Sequence, residues 1–133
     1  MTRFMLDTNA ASGLVKGQPK VIARFKAEAP DSVCLSAVTE GEMLYGVARR
    51  PEARRLRAAL NEFLAAIDVL PWTSATARRY ANLRAGLERQ GRPLSALDLM
   101  IAAHAVEHDM TLVTNDRAFS AIFGLRLEDW TQA

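Results

Sequence analysis

Four acidic residues, Asp7, Glu42, Asp98 and Asp116, occupy places in the chain from which carboxylates could be gathered around a cation. Asp7 directly follows the apolar run Phe4-Met5-Leu6, and Asp116 follows Thr111-Leu112-Val113 after Thr114 and Asn115. Glu42 and Asp98 fall near the start of two helix-patterned stretches, Thr39 to about Ala48 and Ser95 to about His108. Converging carboxylates repel one another and persist ionised only with a cation among them. All-oxygen ligation suits Mg²⁺ or Mn²⁺ rather than Zn²⁺, and the sequence offers no Cys/His cluster as a zinc alternative.

Each acid also has an ordinary structural use. Thr39-Glu40-Gly41-Glu42 and Ser95-Ala96-Leu97-Asp98 have the form of capping boxes, in which the acid folds back on the helix start. Asp7 could make an Asx turn and Asp116 could cap a helix. Asp98 fits such a use worst. Its neighbours Leu97, Leu99, Met100, Ile101, Ala102 and Ala103 make the helix apolar nearly all round, so it is expected to be buried. A buried, unpaired carboxylate is costly or becomes protonated, and a metal ion relieves that cost.

The elements that must position these acids can be read from apolar periodicity and turn residues. Phe4-Met5-Leu6 is a short strand ended by the turn-forming trio Asp7-Thr8-Asn9. Pro19 opens a helix to about Ala29. Val33-Cys34-Leu35 is a second strand, and the helix from Thr39 to about Ala48 ends before Pro51. Glu52 to Ala66 is helical, with Leu56, Leu60, Phe63, Leu64 and Ile67 on one face. Ile67 to Leu70 is a third strand. The helix from Thr73 to about Gln90 stops at Gly91 and Pro93. Ser95 caps the helix to about His108, and Thr111-Leu112-Val113 is a fourth strand. Asp116 to Phe123 is a short helix, and Leu125 to Glu128 offers a fifth strand. Alternating strands and helices with continuous apolar strands imply an α/β fold, a parallel sheet covered on both faces. In such sheets ligands bind beyond the carboxyl ends of the strands. Asp7, Glu42 and Asp116 lie near that edge. Asp98 joins them only if its helix starts there and runs antiparallel to the strands.

Composition narrows the rest. The 133 residues match one ordinary domain spanning 1–133, and half are hydrophobic, enough for a core. No apolar run approaches the roughly 20 residues that span a bilayer. Asp7 comes too early for a signal peptide, and the single cysteine, Cys34, cannot form an internal disulfide. A cytoplasmic location is expected. The net charge of +2 says little about partners. The only lysines are Lys16, Lys20 and Lys26. Arginines gather at Arg49, Arg50, Arg54, Arg55 and Arg57, and again at Arg78, Arg79, Arg84, Arg89 and Arg92. They suit phosphate contacts, or solvated helix faces paired with Glu52, Glu62 and Glu88. His104 lies roughly 120° round the helix from Asp98 and reads as a core or polar-network histidine. His108 reads as a partner of its helix C-terminus, Cys34 as a buried strand residue, and Trp72 and Trp130 as packing or dimer contacts.

The motifs in order resemble those of the PIN-domain family, most closely VapC-type toxins. Phe4-Met5-Leu6-Asp7-Thr8-Asn9 is similar to its opening, and Ser36 to Gly46, containing Thr39-Glu40-Gly41-Glu42, to its second motif. Asp98-Leu99-Met100-Ile101-Ala102-Ala103-His104-Ala105 is similar to the third, and Leu112-Val113-Thr114-Asn115-Asp116 with Phe119 to the fourth. Gly124 to Trp130 is similar to the ending of many members. Pro93-Leu94-Ser95 stands where many relatives have Pro-Ile-Gly.

The resemblance implies a parallel sheet of about five strands and an endoribonuclease hydrolysing RNA with carboxylate-bound Mg²⁺ or Mn²⁺. The family's acids carry over to Asp7, Glu42, Asp98 and Asp116, as catalytic residues and metal ligands. Thr8, Asn9, Thr114 and Asn115 are placed to orient carboxylates or phosphate, or to make ordinary turn hydrogen bonds. An antitoxin protein, a tRNA or other structured RNA, and a second copy of the chain are the implied partners. Two rivals stand beside this reading. An aspartate phosphatase or receiver-like domain would carry Asp-x-Asp at the first strand and a late lysine. Asn9 stands in the first motif, and no lysine follows Lys26. A catalytically inactive RNA-binding PIN module would normally lose one or more acids, and this chain has all four.

Overall fold

In the computed structural model, which describes residues 2–132, the apolar segments form one parallel sheet. Its strands are β1 (Phe4–Leu6), β2 (Val33–Ser36), β3 (Asp68–Leu70), β4 (Thr111–Val113) and β5 (Leu127–Glu128). The spatial order is β3-β2-β1-β4-β5, with every neighbouring pair parallel. The chain moves outward from β1 to β3, then crosses back to β4 on the other side of β1. The order therefore reverses between β1 and β4, where an α/β sheet opens a crevice at its carboxyl edge.

The helices are α1 (Thr8–Val15), α2 (Pro19–Ala27), α3 (Ala37–Ala48), α4 (Arg54–Ala66), α5 (Ser74–Arg89) and α6 (Ala96–Glu107). Strand alternation divides the core into two layers. Phe4, Leu6, Val33, Leu35 and Val113 face one side with Ala11, Val21, Met43, Val47 and Leu60. Met5, Cys34 and Leu112 face the other with Leu99, Ile101, Ala102, Ala105 and Phe119. The expected sandwich of sheet between helices is present. Among the described residues no helix is long and apolar enough to cross a membrane.

Outside the acid group, the structure departs from the sequence reading in α1 and in the two elements after β4. Asp7-Thr8-Asn9 does not end in a turn but opens α1, with Asp7 as its N-cap. Small and polar residues in Thr8–Val15 hide the helical period, and burial of Ala10 and Ala11 supplies the packing that fixes it. The segment after Asp116 forms a 3-10 helix over Arg117–Ala121, shorter than the helix expected to reach Phe123. The fifth strand is only Leu127–Glu128.

Cys34 lies inside the sheet at 2% exposure, its thiol 3.3 Å from the Met110 sulfur. Burial pushes this thiol up to about 11. The native chain at mild alkaline pH is therefore expected to react with iodoacetamide roughly 100-fold more slowly than the urea-unfolded chain, whose thiol ionises near its ordinary value. Equal rates would place Cys34 in contact with solvent.

Candidate active site

The site is built outward from Asp7. Its backbone N–H donates to the Val113 carbonyl at 3.0 Å, which holds it at the carboxyl edge between β1 and β4. Its Oδ1 accepts the Ala10 N–H at 2.8 Å. The residue is only 5% exposed. Burial raises the Asp7 carboxyl above its ordinary value, and the negative charges of Asp98 and Asp116 raise it further. Hydrogen bonds from the Thr114 hydroxyl and the Ala10 N–H oppose that rise. These mutual charge effects place Asp7, Asp98 and Asp116 in one neighbourhood.

Asp98 reaches it because α6 starts at the carboxyl edge and runs back to the start of β4. Ser95 caps α6, its Oγ accepting the Asp98 N–H at 3.2 Å. Among the described residues no return bond from the Asp98 carboxylate completes the expected capping box, so that side chain remains available. Asp98 is half-buried; the buried acid is Asp7. The apolar character of α6 pointed to the wrong member of the group, because the helix buries its middle while its first turn stands at the sheet edge.

Glu42 enters from the other side. Ser36, the last residue of β2, caps α3 by accepting the Val38 N–H at 3.1 Å. The helix therefore starts before Thr39, and the Thr39–Glu42 capping box does not form. Glu42 is the sixth residue of α3 rather than a first-turn acid. Its Oε1 accepts the Thr8 hydroxyl at 2.7 Å, which ties it to the residue following Asp7.

Asp116 caps the 3-10 helix through Oδ1, which accepts the Ala118 N–H at 2.9 Å. The Asp116 N–H donates to the Thr114 hydroxyl at 3.0 Å. Thr114 thus bonds the Asp116 backbone and lies beside Asp7, and Thr8 bonds Glu42. Asn9 and Asn115 are exposed, and neither hydrogen-bonds an acid of the group among the described residues.

None of the four acids forms an ion pair with a cationic side chain among the described residues. The group therefore gathers negative charge without protein compensation. An all-oxygen donor set of this kind fits a divalent hard cation, but among the described residues no three of these acids bring their carboxylate oxygens within 4.8 Å of one another, so they share a neighbourhood and do not form a closed coordination shell. Beside Glu42, a cleft of about 190 Å³ runs between α1, α3 and α4. Val15, Met43, Val47, Leu56 and Leu60 line it, and Arg49 and Arg50 stand at its margin.

Arg50–Glu52 at 3.7 Å and Arg84–Glu88 at 3.1 Å are exposed pairs, which contribute little to stability. Glu62 has no ion pair among the described residues. Trp72 donates to the Met100 carbonyl at 3.1 Å and Trp130 packs edge-on to Phe4, so both serve packing. His104 is fully buried with Nδ1 2.8 Å from Ser36 Oγ, a polar-network histidine as expected. The structure corrects one expectation: His104, Glu107 and His108 do form a His/Glu group with metal-ligand proximity. Their spacing of three and four residues along one helix was the signal for it.

The model of the PIN-domain family matches residues 4–124. The chain is 40% identical over 133 residues to the tRNA(fMet)-specific endonuclease VapC of Shigella flexneri, covering 98% of this chain and 100% of the relative. A chain of the DNA-bound VapBC structure from Salmonella typhimurium matches with a TM-score of 0.90 and 35% identity, covering 98% of this chain and 99% of that one. A chain of VapBC2 from Rickettsia felis, bound to a promoter DNA fragment, matches with a TM-score of 0.90 and 28% identity, covering 97% and 99%.

Proposed function

The chain belongs to the PIN-domain family, among the VapC-type endoribonucleases, and from that premise we propose that Asp7, Glu42, Asp98 and Asp116 are its catalytic centre and hold Mg²⁺ or Mn²⁺. The observation that carries this reading is the buried Asp7 carboxyl, pressed by Asp98 and Asp116 with no cationic side chain paired to it. A divalent ion bound there supplies water of lowered pKa and charge stabilisation at a phosphate.

The protein's own part is positioning. Thr114 stands beside Asp7 and accepts the Asp116 N–H, while the Asp7 N–H bonded to the Val113 carbonyl ties the carboxyl ends of β1 and β4 together. Thr8 holds Glu42 in the same corner. Hydrogen bonds of this kind fix the direction of ligand lone pairs. No side chain is assigned as an obligatory general base. Asp7, Glu42 and Asp98 are the principal ligands, and Asp116 takes a second ion or acts through water.

The substrate is RNA, and a tRNA is the first class to test, since the Shigella relative is named for tRNA(fMet). The chain acts as the toxin of a pair and is restrained by an antitoxin protein, as the VapBC assemblies among its structural relatives suggest. The cleft between α1, α3 and α4 suits an apolar antitoxin segment. Met43, Val47 and Leu60 are largely spent on the core, half-buried Leu56 remains accessible in the cleft, and Leu44 is exposed but does not line it. A second copy of the chain is the further expected partner.

Initiator tRNA transcript incubated with the metal-free chain is expected to stay intact until Mg²⁺ or Mn²⁺ is added, then to be cut at one site. Chelator is expected to stop the reaction. Cleavage that persists in chelator would overturn metal dependence. Metal-independent tRNA binding without cleavage would favour an inactive binding module.

A further inference from the structure

The C-terminal end of α6 carries His104-Ala105-Val106-Glu107-His108, three potential ligands at positions i, i+3 and i+4. That spacing brings side chains to one helix face, and the His-x-x-Glu-His order occurs in zinc-binding helices. In the structure one ligand atom from each residue lies within 4.8 Å of the others. His108 Nε2 is 3.5 Å from Glu107 Oε1, and the two imidazole rings are 5.2 Å apart.

Two features go beyond spacing. His104 is 0% exposed, and its Nε2 makes no hydrogen bond among the described residues. Buried polar atoms are almost always paired, so an orphaned ring nitrogen calls for a partner. Secondly, the group is already oriented from behind. Ser36 Oγ sits 2.8 Å from His104 Nδ1, and Thr76 Oγ1 donates to Glu107 Oε1 at 2.6 Å. If Nδ1–H donates to Ser36, the Nε2 lone pair is left for a metal. Hydroxyls behind imidazole and carboxylate are how metal sites fix ligand direction and tautomer.

We propose that His104, Glu107 and His108 form a second metal site for a Zn²⁺-class transition ion, separate from the carboxylate centre. Two imidazoles and one carboxylate suit a borderline ion, with water completing a tetrahedron, whereas the four-carboxylate centre suits Mg²⁺ or Mn²⁺. Tetrahedral Zn²⁺ needs ligand atoms about 3.3 Å apart. The Glu107–His108 edge nearly meets this at 3.5 Å. His108, whose side chain is 39% exposed, has room to rotate and adjust its distance to His104 from the solvent side. The occupied site would clamp the end of α6, with Ser36 at the start of α3 and Thr76 of α5 behind it. The competing arrangement has the His104 proton shared with the Pro71 carbonyl, which also faces this ring, and a simple Glu107–His108 contact.

Zn²⁺ alone, titrated calorimetrically into the full chain, separates the two. The chain carries D7N and D98N to disable the carboxylate centre, or is wild type in excess Mg²⁺. One Zn²⁺ equivalent is expected in both, with a rise in melting temperature. H108A in either setting is expected to weaken Zn²⁺ binding by about 100-fold or more, and E107Q, which keeps an acceptor for Thr76, by about 10-fold. Co²⁺ in place of Zn²⁺ is expected to show tetrahedral visible absorption that H108A removes. H108A is expected to keep Mg²⁺-dependent RNA cleavage. Absence of Zn²⁺ binding in both settings, or unchanged binding in H108A, would overturn the site.

Discussion

Replacing Asp7 by Asn is expected to lower RNA cleavage by about 100-fold or more without weakening the metal-free fold. The loss follows from removing a charged ligand at the centre of the acid group. The intact fold follows from two structural facts. Asn caps a helix about as well as Asp, so the bond from the Ala10 N–H survives. The Asp7 carboxyl is raised by burial and by Asp98 and Asp116, so its ionised form opposes folding when no cation is bound. The sign is explicit: a carboxyl raised in the folded state binds its proton more tightly there than in the unfolded chain. The metal-free protein therefore gains stability as pH falls through the folded value towards the unfolded one, and it lacks that gain at neutral pH. Asn removes the opposing charge, and the metal-free melting temperature at neutral pH is expected to stay level or rise. E42Q and D98N are expected to lose cleavage to a similar degree. Single-turnover cleavage in Mg²⁺, paired with melting in chelator, measures both halves. Wild-type cleavage in any of these variants removes that residue from the catalytic assignment.

The second large effect concerns the partner. Expression of the wild-type chain alone is expected to arrest growth, and D98N is expected to be tolerated. Co-expression with the protein encoded beside it is expected to relieve the arrest and to yield a co-purifying complex. Within the cleft, Leu56 is the residue that separates partner binding from catalysis. It is half-buried, lines the cleft beside Glu42 and contacts none of the four acids through a hydrogen bond. L56E is expected to weaken the complex by at least about 30-fold, the size of a buried hot-spot loss, while RNA cleavage persists. Arrest by L56E that the partner no longer relieves would place the docking surface in this cleft. Full relief, with L56E still co-purifying, would move the docking surface elsewhere.

Local chemistry made much of this protein legible. Short runs such as Phe4-Met5-Leu6 and Thr111-Leu112-Val113, without polar alternation and set between helix-patterned stretches, suit strands buried on both faces of a parallel sheet, so strand identity and fold class follow from the pattern. Pro19 and the Gly91–Pro93 pair mark helix ends by backbone constraint, and Ser95 marks one by its side-chain cap. The acids stood out because carboxylates beside apolar runs are costly wherever the chain closes over them. Non-local packing decided the remainder. Thr8–Val15 has too little local preference to declare a helix, and becomes one because Ala10 and Ala11 pack against the rest of the protein. Thr39 looked like a cap in isolation, but Ser36 arrives first at the end of β2, and this sets Glu42 in the second turn facing Thr8. Which acid is buried depended on which stands at the junction of β1 and β4, and that is Asp7. The histidines show the same division. Their spacing along α6 is written in the chain, whereas the orphaned His104 Nε2 and the hydroxyls of Ser36 and Thr76 behind the group exist only once β2, α5 and α6 pack together. A strand or helix is a matter of near neighbours; a site is a set of distances between residues as far apart in the chain as Asp7 and Asp116, and only tertiary packing sets those.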